Sequence, residues 1–322
     1  MVLATPQVKR ERPSQAAGAP HRHTPSRGCR QFTRRRGWTI AGFLAPAAVF
    51  VAIFTYYPML FGSQMAFRNW NLNDLSNTDW VGFGNFVAVF TGAKFWTAFN
   101  NSVLWVVGSL VPQFVIGFAL ALWLRRRFFL RGIYQAFIFF PWAVSGFLIG
   151  ILFRWMFNGE FGVVNDLLMK AHLIQTPIPW LADPGFAMTA IIIANVWYGV
   201  TFFAIMILAA LQSVPEELFE SSAIDGAGKV RTLFSITIPY IRTTLALTVL
   251  LRVIWIFNFP DIIYGMTGGG PAGQTHIVTT FMIDLTQQGN YGMASAVGLI
   301  VVFILLVFAT FYLMAMREKK ER

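Results

Sequence analysis

The chain has 322 residues, of which 56% are hydrophobic, 16% aromatic and only 12% charged. Soluble domains carry about 25% charged residues, so this composition and a mean hydropathy of +0.58 exclude an ordinary soluble fold and point to a membrane protein. The net charge of +11 is not a nucleic-acid signature, because Lys and Arg gather in short runs between apolar segments rather than on one folded face.

The first segment, residues 1–36, is a basic tail with Lys9, Arg10, Arg12, Arg22, Arg27, Arg30, Arg34, Arg35 and Arg36. Pro6, Pro13, Pro20 and Pro25 and the scarcity of large apolar residues predict a disordered tail, drawn electrostatically to anionic lipid. It holds Cys29, the only cysteine, so no intrachain disulfide can form. Its His21 and His23, like His172 and His276, lack metal-ligand spacing on one helix. The tail is too long for the n-region of a signal peptide, and the apolar run after it exceeds an h-region, so the first helix is expected to be retained.

A membrane helix needs about 20 mostly apolar residues. Six runs qualify: Trp38–Phe61, Phe99–Leu124, Gly132–Phe153, Ala187–Leu211, Thr243–Tyr264 and Met293–Met316. The expected fold is therefore an all-α polytopic membrane protein, with a disordered tail over 1–36 and a transmembrane helical domain over 37–322. Basic residues set the orientation. They crowd the tail, the second connection (Arg125, Arg126, Arg127, Arg131), the fourth (Lys229, Arg231, Arg242) and the end (Arg317, Lys319, Lys320, Arg322). The opposite side has Arg68, Lys94, Arg154 and Lys170. Both termini are expected in the cytoplasm of a multi-pass plasma (inner) membrane protein.

The fourth connection, Ser213–Pro239, is charged where its neighbours are apolar: "SVPEELFESSAIDGAGKVRTLFSITIP". Ser213 with Glu216 fits a capping box, and Pro215 fits a first turn. Leu218, Phe219, Ser222 and Ala223 share one face by helical spacing, and Glu216, Glu217 and Glu220 sit mostly on another. Gly226 permits a left-handed end. A second helical run carries Val230, Leu233, Phe234 and Ile238, and Pro239 opens the fifth span. An amphipathic loop lying on lipid is one reading. Against it, the cytoplasmic leaflet repels acid, and small Ser221, Ser222 and Ala223 suit close approach by a protein. Gly226-Ala227-Gly228-Lys229 is no P-loop: Ala223 stands where the first Gly belongs, Val230 follows the Lys, and no strand precedes it. This chain should bind no ATP itself.

At this point the residues are specific. The stretch resembles the EAA loop of ABC-importer permeases: Glu220-Ser221-Ser222, then Asp225-Gly226-Ala227, and later Ile238-Pro239, with two serines in place of the usual alanines. The resemblance extends from Gly37 to the C-terminus through "FLAPAAVF", "VGFGNF", "PWAVSGFLIGILFRWMF", "VWYGVTFFAIMILAALQ" and "NFPDIIYGMTGGGPAGQT". It is most similar to the carbohydrate branch, MalF- or UgpA-like, and implies the MalF/MetI-like ABC importer permease fold. Thr201 stands where the family often has Pro, and Ala210 where it often has Gly. The resemblance implies that the loop 213–239 couples to a separate ATPase through Glu220, Ser221, Ser222, Ala223, Asp225, Gly226, Ala227 and Pro239. It further implies a second homologous permease, two ATP-binding subunits that hold ATP and Mg, an extracytoplasmic solute-binding protein and a sugar substrate. No cofactor in this chain, no catalytic residue and no nucleic acid are expected.

Polar groups at membrane depth normally face a bundle interior or aqueous cavity. Arg252, Asn258 and Asp261 lie in or at the end of the fifth span, where Pro260 breaks the helix and frees carbonyls. Gly268, Gly269, Gly270 and Pro271 then read as an exposed outer hinge. Sugars need aromatic platforms and amide or carboxylate partners, and Trp142, Asn195, Trp197, Tyr198, Trp255, Asn258, Asp261 and Tyr264 offer them. The structural alternative is a kinked helix whose polar groups bond its neighbours. A permease for another solute, such as glycerol phosphate, remains open. An ion-coupled secondary transporter would need intramembrane acid or His chains and inverted repeats, and a membrane-bound enzyme a clustered catalytic set; neither pattern stands out.

Overall fold

The computed structural model describes residues 40–318 apart from 75, 77 and 127. The expected disordered tail, Arg127 and the basic residues after position 318 lie outside the described residues. The chain divides into two compact units, Met1–Met59 and Leu60–Arg322. In the first, residues 40–59 are helical with every side chain exposed. They begin α1 (Ile40–Met65), a helix long and apolar enough to cross a membrane.

Within α1 the turn Ala52–Tyr56 is widened to a π-helix. Pro58 follows two residues later. A helical proline offers no N–H and its ring presses on the carbonyl four residues back; a wider turn absorbs both problems. The same device recurs below at Pro239.

The second unit is helical, with no named strand among the described residues. Isolated bridges such as Arg68 to Trp80 and Asn71 to Asn290 tie down the connection after α1. The helices are α2 (Gly84–Thr91), α3 (Ala93–Leu124), α4 (Arg131–Phe139), α5 (Gly146–Met156), α6 (Val163–Lys170), α7 (Pro184–Gln212), α8 (Glu216–Ile224), α9 (Lys229–Thr232), α10 (Ile238–Phe257), α11 (Asp261–Met266), α12 (Val278–Gln287) and α13 (Tyr291–Glu318). Five helical runs can span a membrane: α1, α3, α7, Lys229–Met266 and Tyr291–Met316.

The third expected span, Gly132–Phe153, is not one straight helix. Arg131–Ala143 and Gly146–Met156 meet at 99°. Pro141 lies in a 3-10 turn at the end of the first piece, and Val144 and Ser145 are extended. The carbonyls freed at such an end need donors. Thr201 on α7 supplies one, its hydroxyl donating to Ile138 O at 2.7 Å.

α3 and α7 form the central seam. Gly117 makes it close: a Cβ there would sit 2.5 Å from Phe203 Cβ and 3.0 Å from Val200 O. Trp105 on α3 reaches across to α10, donating from Nε1 to Ile256 O at 2.9 Å. α5 and α11 approach at a pair of glycines, where a Cβ on Gly150 would be 2.8 Å from Gly265 Cα. The core divides into a cluster around Trp105, Ile191 and Ile263 and a second around Leu124, Phe203 and Leu211. Outside the core large side chains face outward, including Phe137, Phe303 and Phe311. Exposed apolar belts on this scale suit hydrocarbon, not water.

Candidate functional site: a polar core beside an aromatic cluster, and a helix between spans

The fourth connection folds differently from its sequence reading in several respects. Ser213 does not cap α8. Its hydroxyl turns back to Ala210 O at 2.7 Å and closes α7 instead. Pro215 is the N-cap of α8, without a side-chain bond, because extended geometry at the proline leaves Glu216 to begin the helix. Glu216 and Glu217 occupy its first turn, where the helix dipole favours acid.

The end of α8 matches the expectation. Gly226 has φ +71°, Gly226 N–H donates to Ala223 O at 3.1 Å and Ala227 N–H to Ser222 O at 2.9 Å. This is a Schellman end, and it needs the left-handed residue. Ser222 faces inward: it is buried, and its hydroxyl lies 2.7 Å from Thr232 Oγ1 on α9. Ser222, one of the expected coupling residues, thus uses its oxygen inside the chain. Ala223 is exposed, as are Glu220, Ser221, Asp225 and Gly226, while Ala227 is half-buried. Ile224 is 86% exposed, an apolar side chain on an acidic helix.

Pro239 stands in the first turn of α10, but the helical run begins earlier. The helix starts at Lys229, passes through a π turn at Leu233–Thr237 and continues as α10. Pro239, exposed, follows the widened turn just as Pro58 follows its own. Val230 and Phe234 are exposed and Leu233 and Ile238 half-buried. A groove of about 640 Å³, lined among others by Arg125, Phe219, Ser222, Lys229 and Thr232, separates α8 from the end of α3. Arg125 bridges it, its guanidinium 4.0 Å from the Phe219 ring centre.

The second region lies where α3, α7 and α10 meet. Arg252 is 2% exposed, Gln113 and Asn195 wholly buried. Arg252 Nε donates to Gln113 Oε1 at 2.8 Å, and Gln113 Nε2 donates to the Asn195 carbonyl at 2.8 Å. Gly199 makes room: any Cβ there would overlap Arg252 Nη2 and the Gln113 amide. Arg252 Nη2, both side-chain atoms of Asn195 and Ser109 Oγ are buried without a hydrogen-bond partner. The single ion pair among the described residues is Lys170–Asp166, so none of their carboxylates neutralises Arg252. Rings take that place: its guanidinium is 5.5 Å from Phe202 and 6.0 Å from Trp255.

Trp142, Phe202 and Trp255 form an aromatic cluster with centre separations of 5.8 to 6.1 Å. Trp142 and Trp255 are partly exposed beside the buried polar core. Tyr198 stacks on Phe259 at 5.3 Å with an interplanar angle of 4°. The expected break falls at residues 258–260, after which Asp261 starts α11. Asn258 and Asp261 are exposed there. Two further expected path residues also contact other parts of the chain. Trp197 packs on Phe153 at 5.6 Å, and Tyr264 donates from its hydroxyl to Thr280 O at 3.3 Å, against α12. Gln113 and Phe202 escape the sequence reading; a lone Gln inside a long apolar helix is the signal that could have found the first.

The outer turn is no loose hinge. Gly269 is buried against the His276 ring, and Thr275 N–H donates to Gly269 O at 3.1 Å while its hydroxyl pairs with Thr267 Oγ1 at 2.9 Å. Asn101 Nδ2 adds bonds to Gln274 O and His276 O at 2.8 and 2.9 Å. His276 lines a pocket of about 380 Å³ with Lys94 and Asp284. Burial lowers its pKa below 6.5, Asp284 opposes that and Lys94 reinforces it.

Residues 113–322 match the family model described as "Binding-protein-dependent transport system inner membrane component". The chain belongs to that family. It is a multi-pass membrane protein and a transport permease component. It is 31% identical over 277 residues to the sulfoquinovosyl glycerol transport system permease protein SmoG of Agrobacterium fabrum, covering 86% of this chain and 89% of that one. It is 30% identical over 278 residues to the trehalose/maltose transport system permease protein MalF of Thermococcus litoralis, covering 86% and 93%. Among solved structures it resembles a chain of a bacterial ABC transporter involved in the import of the acidic polysaccharide alginate, at TM-score 0.78 and 27% identity, covering 90% of this chain and 99% of that chain. The all-α permease fold, with five continuous helical runs and one bent pair, agrees with that likeness.

Proposed function

We propose that this chain is the permease subunit of an ATP-driven, binding-protein-dependent importer for a sugar. It forms half of a pathway with a second, homologous permease. Two cytosolic ATP-binding subunits hold ATP and Mg, and a solute-binding protein outside delivers the sugar. Both termini are cytoplasmic, with 1–36 a basic tail and 37–322 the transport domain. The relatives' names support a sugar: sulfoquinovosyl glycerol, trehalose/maltose and diacetylchitobiose transport systems all occur among them.

The observation that carries the coupling role is α8 itself. It is a rigid helix, ended by the left-handed Gly226 and tied to α9 through Ser222 and Thr232, set between two spans with Glu220, Ser221, Ala223 and Ile224 turned outward. An acidic helix is poorly suited to anionic lipid and well suited to a groove on a protein. ATP closing the ATPases would draw this helix and its counterpart together, and continuity of α9 with α10 would carry the movement into the fifth span. Trp142, Trp255 and Tyr198 then face the pathway with Asn195, Asn258 and Asp261 close by. Differential affinity of nucleotide for the two states supplies the energy.

The test is purification of the whole complex and measurement of its ATPase rate with binding protein loaded from a sugar panel. Stimulation by at least one sugar is expected. A complex whose uptake persists without ATPase subunits and collapses with the proton gradient would instead be a secondary transporter.

A further inference from the structure

We propose that the sugar carried by this permease bears an acidic group, a carboxylate or sulfonate, and that Arg252 is the residue that receives it. The inference rests on the sugar-importer reading above and names the substrate class of that site.

An uncompensated buried cation is among the most costly features a membrane domain can hold. Arg252 is such a cation. It is 2% exposed, and its Nε is bound to an uncharged amide, Gln113 Oε1 at 2.8 Å. Its Nη2 is buried with no hydrogen-bond partner. Asp261, the anion at the end of the same span, is exposed and makes no ion pair with it.

The surroundings keep further polar groups in reserve. Asn195 lies one helical turn before Gly199, the residue that touches the guanidinium, and neither atom of its side-chain amide is bonded. Ser109 lies one turn before Gln113, with a free buried hydroxyl. Guanidinium, amide N–H and hydroxyl are the kinds of donor an oxyanion needs, and a planar guanidinium suits a carboxylate or sulfonate better than any other side chain. Neutral hydroxyls would not offset the burial of a full charge; an arriving anion does.

A sugar would approach Arg252 past the aromatic cluster. Phe202 and Trp255 cover the guanidinium, and Trp255 and Trp142 reach the exposed side. Aromatic faces hold a cation by their quadrupole, so the rings stabilise Arg252 while no anion is bound. Their edges and faces then suit the apolar C–H surface of the sugar ring.

The test uses the complete complex with its ATPases and cognate binding protein, reconstituted in proteoliposomes. The probes are a uronic-acid disaccharide, a sulfonated glycoside and the neutral counterpart of each. The wild-type complex is expected to take up an acidic member at least about tenfold faster than its neutral counterpart, a difference worth about 1.4 kcal/mol. Arg252→Gln and Gln113→Glu, which remove the charge or give it an internal partner, are expected to lose that preference. Arg252→Lys is expected to keep it in part. Melting of each variant complex in detergent separates lost preference from lost folding, and the wild-type comparison stands without any variant. Equal uptake of neutral and acidic members, or an unchanged preference in a folded Arg252→Gln complex, overturns the proposal and leaves the sugar reading intact. A wild-type complex that takes up none of the panel but transports a non-sugar solute overturns both.

Discussion

Gly199 and Arg252 touch across the seam of α7 and α10, with no room between them for a single methyl group. The contact lets an arginine lie flat inside the bundle with its Nε on Gln113. Gly199→Ala should push the guanidinium and the Gln113 amide apart and break the link to the Asn195 carbonyl. Overpacking of this kind costs about 1–3 kcal/mol. The variant is expected to insert, to melt earlier in detergent and to lose most transport. Unchanged uptake would mean that the Arg252 position has no bearing on the pathway.

Gly226 occupies open space: a Cβ there would meet nothing within 4 Å, but φ stands at +71°. A substitution there meets no clash, only the cost of the left-handed conformation, about 1–2 kcal/mol and more for a β-branched residue. Gly226→Val should leave the spans untouched and reorient α8 relative to α9. The expected result is normal membrane insertion with ATPase activity that no longer responds to loaded binding protein. Limited proteolysis of the 213–239 connection should show the loosened turn directly.

The hydroxyl pair Ser222–Thr232 joins α8 to α9 at 2.7 Å. Ser222→Ala and Thr232→Val should each cost about 1 kcal/mol of local stability, and the double variant should cost less than their sum. The readout is hydrogen exchange of the α8 amides in the assembled complex, faster in all three variants. Strictly additive effects would mean that the two hydroxyls do not act together.

Much of this architecture was legible in the residues because its causes are local. Apolar length marks a span, and Gly226 a helix end. What was not legible depends on neighbours far along the chain. The side on which Ser222 falls is decided by Thr232, and the use of Ser213 by the carbonyl of Ala210 rather than by the helix after it. The straightness of Gly132–Phe153 read well by composition, yet Pro141 and the extended Val144 and Ser145 bend it. Arg252 stood out as a charge in an apolar run, but its partner Gln113 lies 139 residues away on another helix. Trp197 and Tyr198 are adjacent in sequence and so take different faces of α7, which is why one packs on Phe153 and the other on Phe259.

Gly150 and Gly265 allow α5 and α11 to meet backbone to backbone. A Cβ on Gly150 would lie 2.8 Å from Gly265 Cα and 2.8 Å from Ile262 O. Backbone cannot swing aside as a side chain can, so Gly150→Val must separate the two helices. Small residues at such crossings are what brings membrane helices together. The variant is expected to express poorly and to be cleared before assembly, measured as loss of the full-length band in membranes. Gly42→Val, in the open, serves as the control with unchanged yield.

His276 supplies a pH dependence with a definite sign. Its pKa is lowered from 6.5 in the folded chain, first by burial and then by Lys94, with Asp284 working against both. The unfolded chain therefore takes up a proton at a higher pH than the folded one. Stability is complete above the unfolded value, falls as pH drops from about 6.5 toward the folded value, and levels off below it. Protonation would place a second cation beside Lys94 and against the buried Gly269. The outer turn should accordingly exchange its amides faster at about pH 5 than at about pH 8, once the intrinsic pH dependence of exchange is corrected. His276→Gln, which keeps a polar group next to Thr280 but cannot titrate, should flatten that dependence, and Asp284→Asn should move its midpoint to lower pH. A midpoint that rises in Asp284→Asn would mean that Asp284 is not the group holding the imidazolium in place.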